Sequence, residues 1–106
     1  MASQPWTDIA MDFLVDLPTA KGFTSILVVV DRFSKMIRLL PLVEGTSAEH
    51  VATEFFTRVV SLHGVPSSII SDRDPRFQSS LWTTLMTKHL GTTLTFSTAY
   101  HPQTDG

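Results

Sequence analysis

Ile9-Ala10-Met11-Asp12-Phe13-Leu14-Val15-Asp16-Leu17 alternates along its whole length, with Ile9, Met11, Phe13, Val15 and Leu17 on one face and Ala10, Asp12, Leu14 and Asp16 on the other. A period of two marks a half-buried strand, and Pro18 ends it. Residues 19–23 form a turn containing a glycine. Ser25 to Asp31 then carries the run Ile26-Leu27-Val28-Val29-Val30, whose unbroken apolar character predicts a strand buried on both faces and therefore central in its sheet. The short link Asp31-Arg32-Phe33-Ser34 leads to a third extended segment from Lys35 to Leu40, with Pro41 near its end. Three strands joined by short links describe an antiparallel meander.

Downstream the period changes. Thr46-Ser47-Ala48-Glu49 reads as a capping box, with Thr46 as N-cap and Glu49 reaching back to it. Val51, Ala52, Phe55, Phe56, Val59 and Val60 recur at helical spacing, Gly64 stands where a C-cap is needed, and Pro66 bars continuation. Ser67 to Ser71 reads as a short buried strand, followed by the polar loop Asp72-Arg73-Asp74-Pro75-Arg76. A second helix runs from Ser80 to Leu90, with Leu81, Trp82, Leu85, Met86 and Leu90 on its inner side and Gly91 as its stop. Thr92 to Ser97 fits a fifth strand, and Ala99 to Gly106 a terminal loop. The order βββ–α–β–α–β predicts an α/β fold: a mixed five-stranded sheet with helices on its faces, whose fourth strand lies parallel to the first.

The composition suits one domain: 106 residues, 42% apolar and 17% charged, enough to bury a core. The formal net charge of -2 lacks the basic excess of an autonomous nucleic-acid binder. The absence of cysteine excludes a disulfide scaffold, a thiol nucleophile and a Cys-ligated zinc site. The longest unbroken apolar run, Ile26 to Val30, falls far short of the roughly 18–20 residues a membrane span needs, and no signal peptide opens the chain. The expectation is a soluble, intracellular single domain without a membrane partner or a small-molecule cofactor.

Asp12 is the sharpest oddity, a carboxylate in the middle of an apolar strand, where charge is costly unless paired or metal-bound. Partial solvation of its face, which Asp16 shares, is the plainer explanation. Asp72 follows the Ile69-Ile70 strand directly and is open to an ordinary turn role. Taken together, the two gain meaning: on adjacent parallel strands both carboxylates lie at one end of the sheet, where α/β proteins place ligands. Carboxylates without Cys or paired His suit a hard ion, Mg²⁺ or Mn²⁺. His63, in a helix's last turn, reads as a residue complementing the helix dipole. Asp31 and Arg32 read as a turn pair, and Trp82, Phe55 and Phe56 as core.

These residues carry a resemblance. Pro5-Trp6 with Met11-Asp12-Phe13-Leu14-Val15-Asp16-Leu17-Pro18 resembles the opening of the integrase catalytic core of gypsy-type LTR retrotransposons. Ile26 to Lys35, Leu62-His63-Gly64-Val65-Pro66, Ser71-Asp72-Arg73-Asp74-Pro75-Arg76-Phe77 and Ser97 to Gly106 are similar to later blocks of that family, in the same order and over nearly the whole chain. The resemblance implies an RNase H-like fold and a D,D,E triad binding two divalent ions, with Asp12 the first carboxylate and Asp72 the second. It places a third, a Glu, on a helix just beyond Gly106. Residues 1–106 are thus expected to be an incomplete core that catalyses no strand transfer alone and leaves apolar sheet surface uncovered, so that it is marginally stable or forms a homodimer through that face.

The implied activity is that of a polynucleotidyl transferase in DNA integration: hydrolysis near a 3′ end, then attack of the new 3′-hydroxyl on target DNA. DNA is the implied partner, with Tyr100, His101, Gln103 and Thr104 touching it near the reacting end, and the nucleus or a virus-like particle the implied location. The competing readings are a relic or host-retained fragment, folded but acting only as a nucleic-acid- or protein-binding module, and another RNase H-like nuclease, against which the terminal loop argues. Only eight basic residues are present, so the isolated chain is expected to bind duplex DNA weakly and to lose that binding steeply with salt. Fluorescence anisotropy across a salt series checks this, and tight, salt-resistant binding contradicts it.

Overall fold

Alternation along the first strand sets the layers of the molecule. The computed structural model describes residues 4–14, 25–43 and 46–97. In β1 (Asp8–Leu14), Ile9 and Met11 are buried and Phe13 packs at the core's margin, while Asp12 is half-buried and Leu14 exposed on the other face. β1 pairs antiparallel with β2 (Ser25–Asp31), which pairs antiparallel with β3 (Ile37–Leu42). On its other side β1 pairs parallel with β4 (Ser68–Ser71), which pairs parallel with β5 (Thr93–Phe96). The order β3-β2-β1-β4-β5 is the mixed five-stranded sheet expected from the sequence.

β1 holds the middle of the sheet, and β2, paired on both sides, is an interior strand as expected. Burial along β2 alternates strictly, with Leu27 and Val29 fully buried and Ile26, Val28 and Val30 only half-buried. Its continuous apolar run therefore does not mean burial on both faces. β3 is an edge strand, which is why Pro41 is tolerated inside it. It begins two residues later than the sequence suggested because Lys35, at φ +71°, belongs to the turn, where its N–H donates to the Asp31 carbonyl (2.7 Å).

Helix α1 (Ala48–Phe55) continues through a wider π-helical turn, Phe56–Val60, into α2 (Ser61–His63). Its N-cap is Ser47, whose Oγ accepts the His50 N–H (3.1 Å), and not Thr46, whose hydroxyl instead donates to the Val43 carbonyl. Gly64 ends the helix at φ +89°, a conformation that side chains avoid. A short helix where the sequence predicts a loop, α3 (Pro75–Gln78), precedes α4 (Ser80–Thr84) and its π-helical continuation Leu85–His89. Leu81, expected inside, is exposed, while Phe77 from α3 is fully buried. Val51, Phe55, Val59, Phe77, Trp82 and Met86 close one core with Ile9, Met11, Leu27, Val29, Leu40, Leu42 and Ile69 of the sheet. Trp82 is its hub, with ring centroids 5.7 Å from Phe55 and 5.5 Å from Phe77.

Asp31 is a structural carboxylate and not a simple turn partner of Arg32. It is fully buried and accepts from Trp6 N (2.8 Å), Phe33 N (3.2 Å), Ser34 N (3.2 Å) and Ser34 Oγ (2.6 Å). Burial pushes its carboxyl up, but the bonds from Ser34, Trp6 and Phe33 together outweigh it and hold the group below the usual carboxylate range. Trp6 adopts φ +63°, strained for a bulky residue, and Asp31 holds its N–H there. Asp31→Asn, which keeps the shape but replaces acceptor capacity with an NH₂, is expected to lower stability by about 2–4 kcal/mol. Because the folded carboxyl sits below its unfolded value, this advantage is complete above the unfolded pKa of 3.8 and is lost as pH falls through the folded one. Urea unfolding of both proteins at neutral and at acid pH checks it: the difference must shrink in acid.

Candidate metal centre

The register of β1 against β4 pairs Asp8 with Ser68, Ile9 with Ile69, Ala10 with Ile70 and Met11 with Ser71. The register ends there, and Asp12 and Asp72 each follow its last rung by one residue. Asp12 is held by the ladder to β2, where it faces Val28. Asp72 is the first residue past β4, in the loop before α3. Both carboxylates are half-buried, and each is oriented by a backbone N–H: Phe13 N to Asp12 Oδ1 (2.9 Å) and Asp74 N to Asp72 Oδ1 (3.0 Å).

The loop after Asp72 is tightly built. Asp74 caps α3, accepting the Arg76 N–H (2.8 Å) ahead of Pro75 in the first helical turn. Its two oxygens also take the Arg76 guanidinium, Nε on Oδ1 and Nη2 on Oδ2, both at 3.0 Å. Burial raises the Asp74 carboxyl, yet these contacts with Arg76 prevail and keep it below its ordinary value. Asp74 is thus committed to Arg76 and does not join Asp12 and Asp72. The Arg76 guanidinium carbon lies 3.8 Å from the centroid of the Phe13 ring, which stacks on Phe77 at 4.9 Å. The pair Asp74-Pro75, an N-cap followed by proline, was the sequence signal for this helix.

Two carboxylates without sulfur or imidazole neighbours are the donor set a hard, oxygen-preferring cation takes, and Mg²⁺ keeps several waters where protein ligands are few. Among the described residues no group of three or more His, Cys, Asp or Glu gathers to hold an ion, here or elsewhere. Asp16 and the expected DNA contacts Tyr100, His101, Gln103 and Thr104 lie outside the described residues.

Residues 2–102 match the family model described as Integrase core domain. The chain belongs to that family. It is similar, at 41% identity over 105 residues, to the Tf2-3 and Tf2-4 transposon polyproteins of Schizosaccharomyces pombe, covering 99% of this chain and 8% of each polyprotein. The chain therefore spans a small part of the length of these relatives. Among solved structures it is similar to the HTLV-2 integrase catalytic core domain in complex with magnesium, in its dimeric form (TM-score 0.73, 19% identity, 87% of this chain and 61% of that one). It also resembles a simian T-cell lymphotropic virus intasome in complex with the PP2A regulatory subunit B56 gamma (TM-score 0.75, 18% identity, 100% of this chain and 39% of that one). At these identities the two structures speak to the fold alone: the RNase H-like sheet expected from the sequence is the fold of an integrase core.

Within this integrase core, His63 has a different task from the one its place in the helix suggested. Its ring stacks on Trp6 (centroids 4.1 Å apart, 13° between planes), near the start of β1 and away from Asp12. Arg38 Nε and Nη2 approach its Nε2 at 3.3 and 3.0 Å, and since guanidinium only donates, Nε2 is the acceptor and the ring is neutral. Burial lowers its pKa, Arg38 lowers it further, and Asp31 opposes them without prevailing. A neutral imidazole supplies no charge to the helix dipole. Stability is then complete above the unfolded imidazole value of 6.5 and falls as pH drops below it, because the unfolded chain takes up the proton more readily. Unfolding free energies measured from about pH 7.5 to about pH 5 should decline in the parent and stay flatter in His63→Gln. An equal decline in both removes His63 as the cause.

Proposed function

We propose that this chain works as the catalytic-core portion of a retroelement integrase, taking part in metal-dependent phosphoryl transfer on DNA with Asp12 and Asp72 as the metal-binding carboxylates. The observation that supports the reading is the β1–β4 register, whose last rung, Met11 against Ser71, stands one residue before each of them. Asp12 and Asp72 would hold a divalent ion, which would supply the positive charge that activates an attacking oxygen or stabilises a leaving one. The residues of the chain supply the framework for that chemistry. Asp12 stands on the central strand, paired with Val28 of β2 and one residue past the last β4 rung. Asp72 is placed at the mouth of a capped loop and is oriented by the Asp74 N–H. The arrangement favours rigid placement of both ligands, which phosphoryl transfer needs because positioning and charge stabilisation supply nearly all of its catalysis.

In this reading DNA is the substrate, a Mg²⁺ or Mn²⁺ ion the cofactor, and a second copy a partner. The polyprotein relatives and the dimeric and intasome assemblies of the structural neighbours support those assignments. The setting is that of a retroelement polyprotein, in a particle or in the nucleus. Among the described residues no helix is long and apolar enough to cross a membrane.

The test is strand transfer with Mn²⁺ on a short oligonucleotide, using a polyprotein segment that contains this chain and continues past Gly106. Asp12→Asn and Asp72→Asn are each expected to cost at least about 3 kcal/mol of transition-state stabilisation, roughly a hundredfold in rate. Activity that survives either change rejects the assignment. A parent segment that is inactive while binding DNA favours a retained binding fragment instead.

A further inference from the structure

Asp12 and Asp72 are held very differently. The backbone ladders fix Asp12, but they stop at Ser71, so the placement of Asp72 depends on whatever holds the loop that follows. Several contacts tie that loop down, among them the Ser71 hydroxyl on the Asp72 carbonyl (3.1 Å) and the buried Phe77, and the Arg76 side chain links it to the strand of Asp12. Asp72 Oδ1 accepts the Asp74 N–H (3.0 Å), the Asp74 carboxylate takes the fork of Arg76 at two points (3.0 Å each), and the Arg76 guanidinium rests 3.8 Å from the centre of the Phe13 ring. Phe13 is the residue after Asp12 and donates its N–H to Asp12 Oδ1 (2.9 Å). A continuous path therefore runs from one carboxylate to the other through a single guanidinium.

We propose that Arg76 is a positioning residue: forked onto Asp74 and laid against Phe13, it fixes Asp72 relative to Asp12 and thereby sets the affinity of the pair for a divalent cation. The inference rests on the reading of Asp12 and Asp72 as the metal-binding pair. The Arg76 and Asp74 side chains are only 23% and 18% exposed, so their ion pair is better shielded than a surface pair and holds one geometry. A planar fork meeting both carboxylate oxygens transmits orientation in a way that a lysine ammonium, a point charge on a flexible stem, does not.

The sign of the effect separates positioning from simple charge. Acting only through space, a guanidinium near the site repels a cation, and its removal tightens metal binding. Acting by position, its removal weakens binding. Partners that orient metal ligands typically cost about tenfold or more in affinity when lost. The experiment titrates Mn²⁺ into the full 106-residue chain, follows unbound Mn²⁺ by electron paramagnetic resonance, and records metal-free melting curves for each protein. Arg76→Ala and Arg76→Lys are expected to weaken Mn²⁺ binding about tenfold. Arg76→Lys, which keeps the charge and an aliphatic stem against Phe13, is expected to melt close to the parent and decides the matter if Arg76→Ala does not fold. Asp72→Asn is the control for the site itself. If it abolishes binding while both Arg76 variants bind as the parent does, or more tightly, Arg76 is only a helix-capping partner and the proposal is overturned. If Asp72→Asn binds Mn²⁺ like the parent, the site reading fails and takes the proposal with it.

Discussion

The parallel pairing of β1 with β4 is the constraint on which the rest of the molecule depends. It joins segments 60 residues apart, sealed at its start by the Ser68 hydroxyl on Asp8 Oδ1 (2.5 Å). Closing a loop of that length carries an entropic cost that the pairing alone does not offset. The intervening chain makes the closure favourable by turning it into a core: β2 and β3 extend the sheet on one side, and α1 lays Val51 and Phe55 across the face it presents. A parallel partner for β1 requires such a crossover, and the helix that makes it is also the one that buries the sheet. Topology and core thus follow from one pairing, and Asp12 and Asp72 each stand one residue past its last rung.

Around that pairing, two carboxylates of opposite character divide the ends of the sheet. Asp31, where the β2–β3 turn begins, is fully buried and saturated by backbone and hydroxyl donors. It fastens the strained Trp6, whose ring in turn covers His63. Asp12 and Asp72, toward the other end, are half-buried and stand where the ladders give out. The first arrangement consumes its charge in holding the chain together. The second is compatible with a ligand, since partial exposure leaves an approach from solvent.

Much of this was legible in the residues. Period two over Ile9–Leu17, the switch to helical spacing at Val51, and the punctuation at Gly64 and Pro66 report local geometry directly, so the strand and helix order followed. So did the adjacency of β1 and β4, because few topologies satisfy βββ–α–β–α–β. Burial was harder to read. The run Ile26–Val30 cannot say how many layers cover it, and it is half-exposed on one face. Leu81 has helical spacing but lies just off the inward stripe, while Phe77 is buried by a one-turn helix whose only signal is Asp74-Pro75. Least legible were contacts made by long-range packing: nothing local to Asp31 foretells its bond to Trp6, 25 residues away, and nothing local to His63 foretells Arg38, also 25 away.

The electrostatics of the chain bear on why the proposed site needs a cation. With a net charge of -2 and two carboxylates at the end of the sheet, the bare site repels a phosphodiester. Arg76 does little to reverse this, because Asp74 already neutralises it, and Arg38 is engaged with His63. A divalent ion resolves the conflict in one step, since the carboxylates that repel DNA are the ligands that draw the ion in. On the proposed function, the same two side chains would exclude DNA from the empty site and admit it to the loaded one. Metal binding in this reading is the condition for substrate binding as well as for chemistry, so DNA affinity at low salt should rise with Mn²⁺ in the parent and remain flat in Asp72→Asn.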